Sequence, residues 1–138
     1  MAQTSIVSKV INGTPFESII VSGPVSVELI ESDNNLLEAT GSYDFINGIH
    51  TSWSNKELQI SFDKDEKAGD QPIKVYVHNL TSIQAEDGAK INTPKPLHCR
   101  NINIKIIGDG YARIVNHGSI RVIRNENTIV SNFAYKAE

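Results

Sequence analysis

The sequence predicts an all-β chain wound as a stacked β-solenoid, two sheets joined by tight corners, and three observations carry that prediction. Apolar residues fall at every second position through much of the chain, as in Ile73-Val75-Val77 and Ile102-Ile104-Ile106, the period of a strand with one buried face. Short corners rich in Gly, Asn and Asp separate these strands. Gly88 and Gly108 stand 20 residues apart, a length that suits one coil of two strands and two corners, each coil burying its inward side chains only against its neighbours. No stretch keeps an apolar period of three to four residues, so helix should be nearly absent.

Taken in order, residues 1–13 are polar with Ile6, Val7, Val10 and Ile11 as anchors, and read as an edge strand or tail; residues 14–138 read as one β-solenoid domain. Phe16, Ile19 and Val21 form a strand, Gly23-Pro24 a corner, and Val25, Val27 and Leu29 a second strand. Residues 31–35 are a loop. Leu37 and Ala39 begin a strand that ends near Gly41, and a less regular stretch follows to Gly48. Ile49-Thr51-Trp53 and Leu58-Ile60-Phe62, interrupted by Ser54-Asn55-Lys56-Glu57, have the form of a hairpin. Asp63 to Gly69 is a charged loop, and Ile73 to Val77 a clear strand.

From Leu80 onward the strands and corners repeat: Ile83 and Ala85 lead to Asp87-Gly88, Ile102 to Ile106 lead to Gly108-Asp109-Gly110, Ala112 and Ile114 lead to His117-Gly118, and Ile120 and Val122 lead to Arg124-Asn125. Alternation puts Ala112, Ile114, Ile120 and Val122 inside, and Asn101, Asn103, Lys105, Arg113 and Arg121 outside. A stacking shift of about 18 to 20 residues sets Ile83 beside Ile102 and Ile104 beside Val122, one aliphatic column through successive coils. Each buried aliphatic side chain contributes roughly 1.5–3 kcal/mol, so Ile104→Asp should abolish folding. The corner glycines Gly23, Gly88, Gly108, Gly110 and Gly118 are expected to be structural, because a two- or three-residue corner needs a positive φ that Gly adopts without strain and Asn or Asp tolerate.

At 138 residues the chain has room for one core. It shows no run of eighteen apolar residues and no basic-then-apolar leader, and Ala2-Gln3-Thr4 after Met1 fits the start of a processed, exported chain. The single Cys99 rules out an internal disulfide and reads as a small buried thiol. Net charge is −3, yet residues 1–69 hold four Lys/Arg against ten Asp/Glu, and residues 70–138 nine against six. On a solenoid that difference would lie along the axis and favour head-to-tail or partner association.

Catalytic and metal chemistry find little support. His50, His78, His98 and His117 lack ligand spacing. Asp63, Asp65, Glu66 and Asp70 suggest a calcium loop, but counting from Asp63 puts Ala68 where glycine is required and Lys74 where a bidentate Glu belongs. Arg113, Arg121, Lys105 and Glu86 are the outward charges that could share a face in a polysaccharide-cleaving β-helix, and no paired carboxylates accompany them. The six-residue aliphatic repeat of left-handed acyltransferases is missing. Asn12-Gly13-Thr14 and Asn79-Leu80-Thr81 match a glycosylation acceptor and read as turns. Of the aromatics, Trp53 belongs with the core, while Tyr111 points outward as the better ring for stacking on a sugar. No phosphate-cradling loop, basic helix or aromatic-basic sheet signature marks a nucleic-acid binder.

Four stretches carry a family resemblance: Phe16-Glu17-Ser18-Ile19-Ile20-Val21-Ser22-Gly23, Lys74-Val75-Tyr76-Val77-His78-Asn79-Leu80-Thr81-Ser82-Ile83, Asp87-Gly88-Ala89 and Asn101-Ile102-Asn103-Ile104-Lys105-Ile106-Ile107-Gly108-Asp109-Gly110. Over about residues 14–125 the chain resembles the bacterial family called putative auto-transporter adhesin, head GIN domain. The resemblance implies a right-handed β-solenoid with Gly-Ser-Gly corners, export or lipid anchoring, surface adhesion and no catalytic residue set. Here Gly-Ser-Gly survives only as Gly108-Asp109-Gly110, and the array is short for an adhesive stalk.

The expectation is therefore a non-enzymatic, extracytoplasmic domain without cofactor or metal, binding a surface glycan or protein, with Tyr111, Arg113 and Arg121 as surface-contact candidates. It needs no membrane-spanning segment and no nucleic acid, and its uncapped ends would allow a homo-oligomer such as a trimer. The rival readings are an envelope scaffold that self-assembles and a β-helix carbohydrate-active enzyme.

Overall fold

β-Branched residues at alternate positions pack well on a pleated surface, and the computed structural model is built almost wholly from such segments. It describes residues 7–12, 15–63, 72–124, 127–131 and 134–136, with side chains over 15–63 and 72–123. The strands are β1 (Val7–Asn12), β2 (Ser18–Ser22), β3 (Ser26–Glu31), β4 (Leu36–Gly41), β5 (Ile49–Ser54), β6 (Glu57–Phe62), β7 (Ile73–Val77), β8 (Ser82–Glu86), β9 (Lys90–Asn92), β10 (Asn101–Ile106), β11 (Tyr111–Val115), β12 (Ser119–Arg124), β13 (Asn127–Ser131) and β14 (Ala134–Lys136), with one helix, α1 (Tyr43–Asn47), between β4 and β5. The fold is all-β. Most of the loop read as Asp63 to Gly69, with the calcium-like Asp65, Glu66 and Asp70, lies outside the described residues.

Two seven-stranded sheets form, the first in the order β1-β4-β7-β3-β9-β11-β14 and the second in the order β13-β12-β10-β8-β2-β6-β5. From β7 to β12 successive strands alternate between the sheets; β8, β10 and β12 pair in parallel with the strand two places away in the chain, as do β9 and β11, while β7 pairs in parallel with β3. Antiparallel strands flank this interior: β5 and β13 end the second sheet, and β1 and β14 end the first. The sheets bury one aliphatic core between them.

In the second sheet Leu58, Ile19, Ile83, Ile104 and Val122 stand side by side on consecutive strands, all of them buried. Ile104 pairs with Val122 as expected. Ile83, however, lies beside Ile104 and not Ile102. That step spans 21 residues while the next, from Ile102 to Ile120, spans 18. The long connection from Thr93 to Arg100 absorbs the difference, and a two-residue slip leaves every side chain on its own face, so alternation alone could not detect it.

The stacking also departs from chain order. β2 and β3 lie between β6–β7 on one side and β8–β9 on the other. After β3 the chain runs through β4, α1 and the β5–β6 hairpin at one end, and then returns past β2–β3. In the hairpin Asn55 and Lys56 both take positive φ, 52° and 62°, the backbone of a two-residue turn that matches strand twist. Trp53, on the partner strand, is half-buried and meets Phe16 edge-on at 5.4 Å.

The helix was not anticipated, since five residues are too few to show a period. Ser42 caps it, its Oγ accepting from the Phe45 backbone N–H. Phe45 and Ile46 then point into the end of the core, where Phe45 packs on Phe62 at 5.5 Å.

Candidate binding surface

β9 and β11 are parallel neighbours in the first sheet, with Lys90 opposite Tyr111 and Asn92 opposite Arg113. Ile91 and Ala112 between them are fully buried; period-two alternation therefore turns all four flanking side chains to the outer face. Lys90, Asn92 and Arg113 are exposed and Tyr111 is half-buried. None of the four side chains has a hydrogen-bond or ion-pair partner among the described residues. By backbone register Lys136 of β14 comes next to Arg113, and Glu28 of β3 next to Asn92.

Arg121 lies elsewhere. It belongs to β12 in the second sheet, beside Asn103 of β10, so the three contact candidates divide between two opposite outer faces. Lys105 shares that second face, and Glu86 is half-buried on it at the end of β8, where its carboxylate accepts from the Gln84 amide. Arg113 therefore does not share a face with Arg121, Lys105 and Glu86, contrary to the grouping expected for a polysaccharide-cleaving site.

The corner glycines play two different parts. Gly23, Gly88 and Gly108 have positive φ. Gly110 and Gly118 do not; a Cβ on Gly110 would lie 2.3 Å from the Ala85 carbonyl oxygen, and one on Gly118 2.0 Å from that of Cys99. Close passage of neighbouring backbones, not dihedral freedom, demands glycine at those two positions.

Sequence distance hid another cluster. Glu31, at the end of β3, accepts from the His98 backbone N–H at 2.7 Å and pairs with His98 Nδ1 at 2.8 Å, and the His98 and His117 rings stack with centroids 4.9 Å apart. Burial opposes the Glu31 charge, but the hydrogen bonds from His98 and the charges of His98 and His78 prevail and hold its carboxyl below the usual value. Glu31 and His98 are 67 residues apart, so no local spacing announced them. No group of three metal-ligating side chains exists among the described residues. Cys99 is buried and free, and desolvation pushes its thiol up, away from thiolate reactivity.

Charge is segregated along the stack. Of the described residues between 15 and 88, ten are Asp or Glu and two are Lys; between 89 and 123 six are Lys or Arg and one is Asp. Although the stacking order departs from chain order, β9 to β12 all lie toward one end of the sheets. The basic residues therefore stay together.

Two packed sheets with a parallel interior and antiparallel ends define the class, an all-β domain with almost no helix. The chain belongs to the family described as putative auto-transporter adhesin, head GIN domain, whose model matches residues 15–132. No curated protein matches it. Its fold is similar to a putative adhesin from Parabacteroides distasonis ATCC 8503, with a TM-score of 0.63 at 17% identity over 88% of this chain and 57% of that one. It is also similar to a putative adhesin from Bacteroides fragilis NCTC 9343, with a TM-score of 0.67 at 13% identity over 89% of this chain and 74% of that one. A third likeness is to a putative lipid binding protein from Parabacteroides distasonis ATCC 8503, with a TM-score of 0.63 at 15% identity over 86% of this chain and 58% of that one. The chain thus spans 57% of the length of the first of these structures. No helix among the described residues is long and apolar enough to cross a membrane.

Proposed function

We propose that the chain is a non-enzymatic adhesion module displayed outside the cytoplasm, built as a right-handed β-solenoid and binding a surface glycan or protein through an outer sheet face. The solenoid reading is supported by the alternation of β7 to β12 between sheets and by their parallel pairing. Right-handedness follows from the general preference of parallel crossover connections. Family membership supports adhesion. The observation that carries the binding role is the register-matched set Lys90, Asn92, Tyr111 and Arg113, outward-facing and without partners among the described residues. A flat surface with a half-buried aromatic ring, hydrogen-bonding amide and cations suits a sugar or peptide chain better than enclosure of a small substrate.

The test is a glycan array and a surface-protein screen with the purified chain, repeated with Tyr111→Ala. Retained glycan or protein binding that this substitution weakens supports the reading; a chain that holds nothing in either screen overturns it. Export is checked by fractionating cells that carry the native gene.

The segregated charge favours a second reading, self-association into an envelope scaffold or an oligomer such as a trimer. An acidic end and a basic end on one molecule are complementary between copies. Sedimentation at rising concentration tests it, and a monomer throughout would dismiss it.

A further inference from the structure

We propose that the outer face of the first sheet at β9 and β11 is a binding site for acidic polysaccharide, with Tyr111 supporting a sugar ring and Lys90 and Arg113 pairing with its carboxylate or sulfate groups. This rests on the adhesion reading and names the ligand class for it. Neighbouring strands lie about 4.8 Å apart and same-face residues on one strand about 6.6 Å apart. The four side chains therefore define a patch close in size to a single sugar residue. Lys90 stands beside Tyr111 and Arg113 two positions along, so a ring stacked on Tyr111 has a cation on two sides. Asn92 offers both a donor and an acceptor to hydroxyl groups.

Cations outnumber acids in this region: the register sets Glu28 of β3 beside Asn92, against Lys90, Arg113 and Lys136 on the neighbouring strands β9, β11 and β14. None of Lys90, Lys95, Arg100, Lys105, Arg113 and Arg121 forms an ion pair among the described residues, and Asp109 is the one acid among the described residues from 89 to 123. An excess of cations without ion-pair partners on this part of the face calls for an anionic partner. A polysaccharide fits better than a lipid surface, because insertion into a bilayer needs exposed apolar side chains beside the cations. The exposed large apolar residues Tyr43, Ile107 and Ile123 lie in α1, after β10 and on the second sheet, away from the patch.

The whole purified chain is to be titrated against polygalacturonate, heparin, neutral dextran and phosphatidylglycerol vesicles at low and high salt. Binding to the carboxylated or the sulfated polymer, weakened about tenfold or more by high salt, is expected, with dextran ignored. The double substitution Lys90→Gln and Arg113→Gln should weaken it by about tenfold or more, and Arg121→Gln on the opposite face by less than about twofold. Circular dichroism confirms that these surface variants remain folded. Dextran bound as tightly as the acidic polymers, binding to vesicles alone, or acidic binding untouched by the double substitution would each overturn the assignment. A chain that holds only neutral glycans or proteins on the screens above loses this inference and keeps the adhesion reading; one that holds nothing loses both.

Discussion

The side-chain amide of Asn116 holds both backbone polar groups of Cys99: its Oδ1 accepts from the Cys99 N–H and its Nδ2 donates to the Cys99 carbonyl, each at 2.8 Å. Asn116 is fully buried, and Leu97 bridges to its backbone in parallel. The amide thus extends the ladder where the chain leaves the sheet, at the long connection before β10. Replacing it with Ala strands two buried backbone groups, each costing about 1–3 kcal/mol. Asn116→Ala should therefore lower stability by about 2–6 kcal/mol, read from the urea midpoint at unchanged m-value.

The two kinds of corner glycine separate under one substitution. At Gly108 an added Cβ meets nothing within 4 Å and φ is +60°, so Gly108→Ala should cost only about 1 kcal/mol of backbone strain. At Gly118 the Cβ would collide with the Cys99 carbonyl, and backbone cannot swing aside as a side-chain tip can. Gly118→Ala should cost about 3 kcal/mol or more or fail to fold, as measured by thermal and urea unfolding of both variants.

Lys56 sits in the hairpin turn with φ +62°, a conformation unfavourable to a residue with a Cβ. Its carbonyl accepts from the Glu17 N–H at 2.8 Å, a bond that any residue can supply. Lys56→Gly should stabilise the chain by about 0.5–1 kcal/mol, because Asn-Gly is the preferred pair for this turn. A fall in melting temperature would contradict the assigned turn.

The Glu31 carboxyl titrates below its ordinary value in the folded chain. A depressed folded value means that the unfolded chain binds the proton more readily, so this group's contribution to stability is fully present above the unfolded carboxyl's range. It is lost as pH falls through the folded value. The difference in urea midpoint between the native chain and Glu31→Gln should be largest near neutrality and shrink in acid; a gap that widens on acidification would reverse the assignment. Solvent reaches this pair, so the effect is modest.

Much of the core was readable without coordinates. Ile102, Ile104, Ile106, Ala112, Ile114, Ile120 and Val122 were expected inside and are buried, because alternation reports which face of a strand meets apolar neighbours. The hairpin from Ile49 to Phe62 announced itself the same way. The candidate surface was half legible. Tyr111 and Arg113 lie two residues apart and so share a face, whereas Lys90 and Asn92 were overlooked because they lie 21 positions earlier on a three-residue strand. Glu31 with His98, and Cys99 with Asn116, escaped for the same reason.

Period-two patterning and turn chemistry by themselves determined the all-β class, the inward aliphatic set and the sites of several corners. Only the tertiary structure decided that β2–β3 would lie between later strands, that Ile83 would face Ile104, and that Arg121 would part from Arg113. The physical reason is one of symmetry: a strand moved by two residues, or exchanged between sheets, buries the same side chains, so local pattern is blind to both. Packing against distant segments, with the connection lengths that permit it, makes the choice.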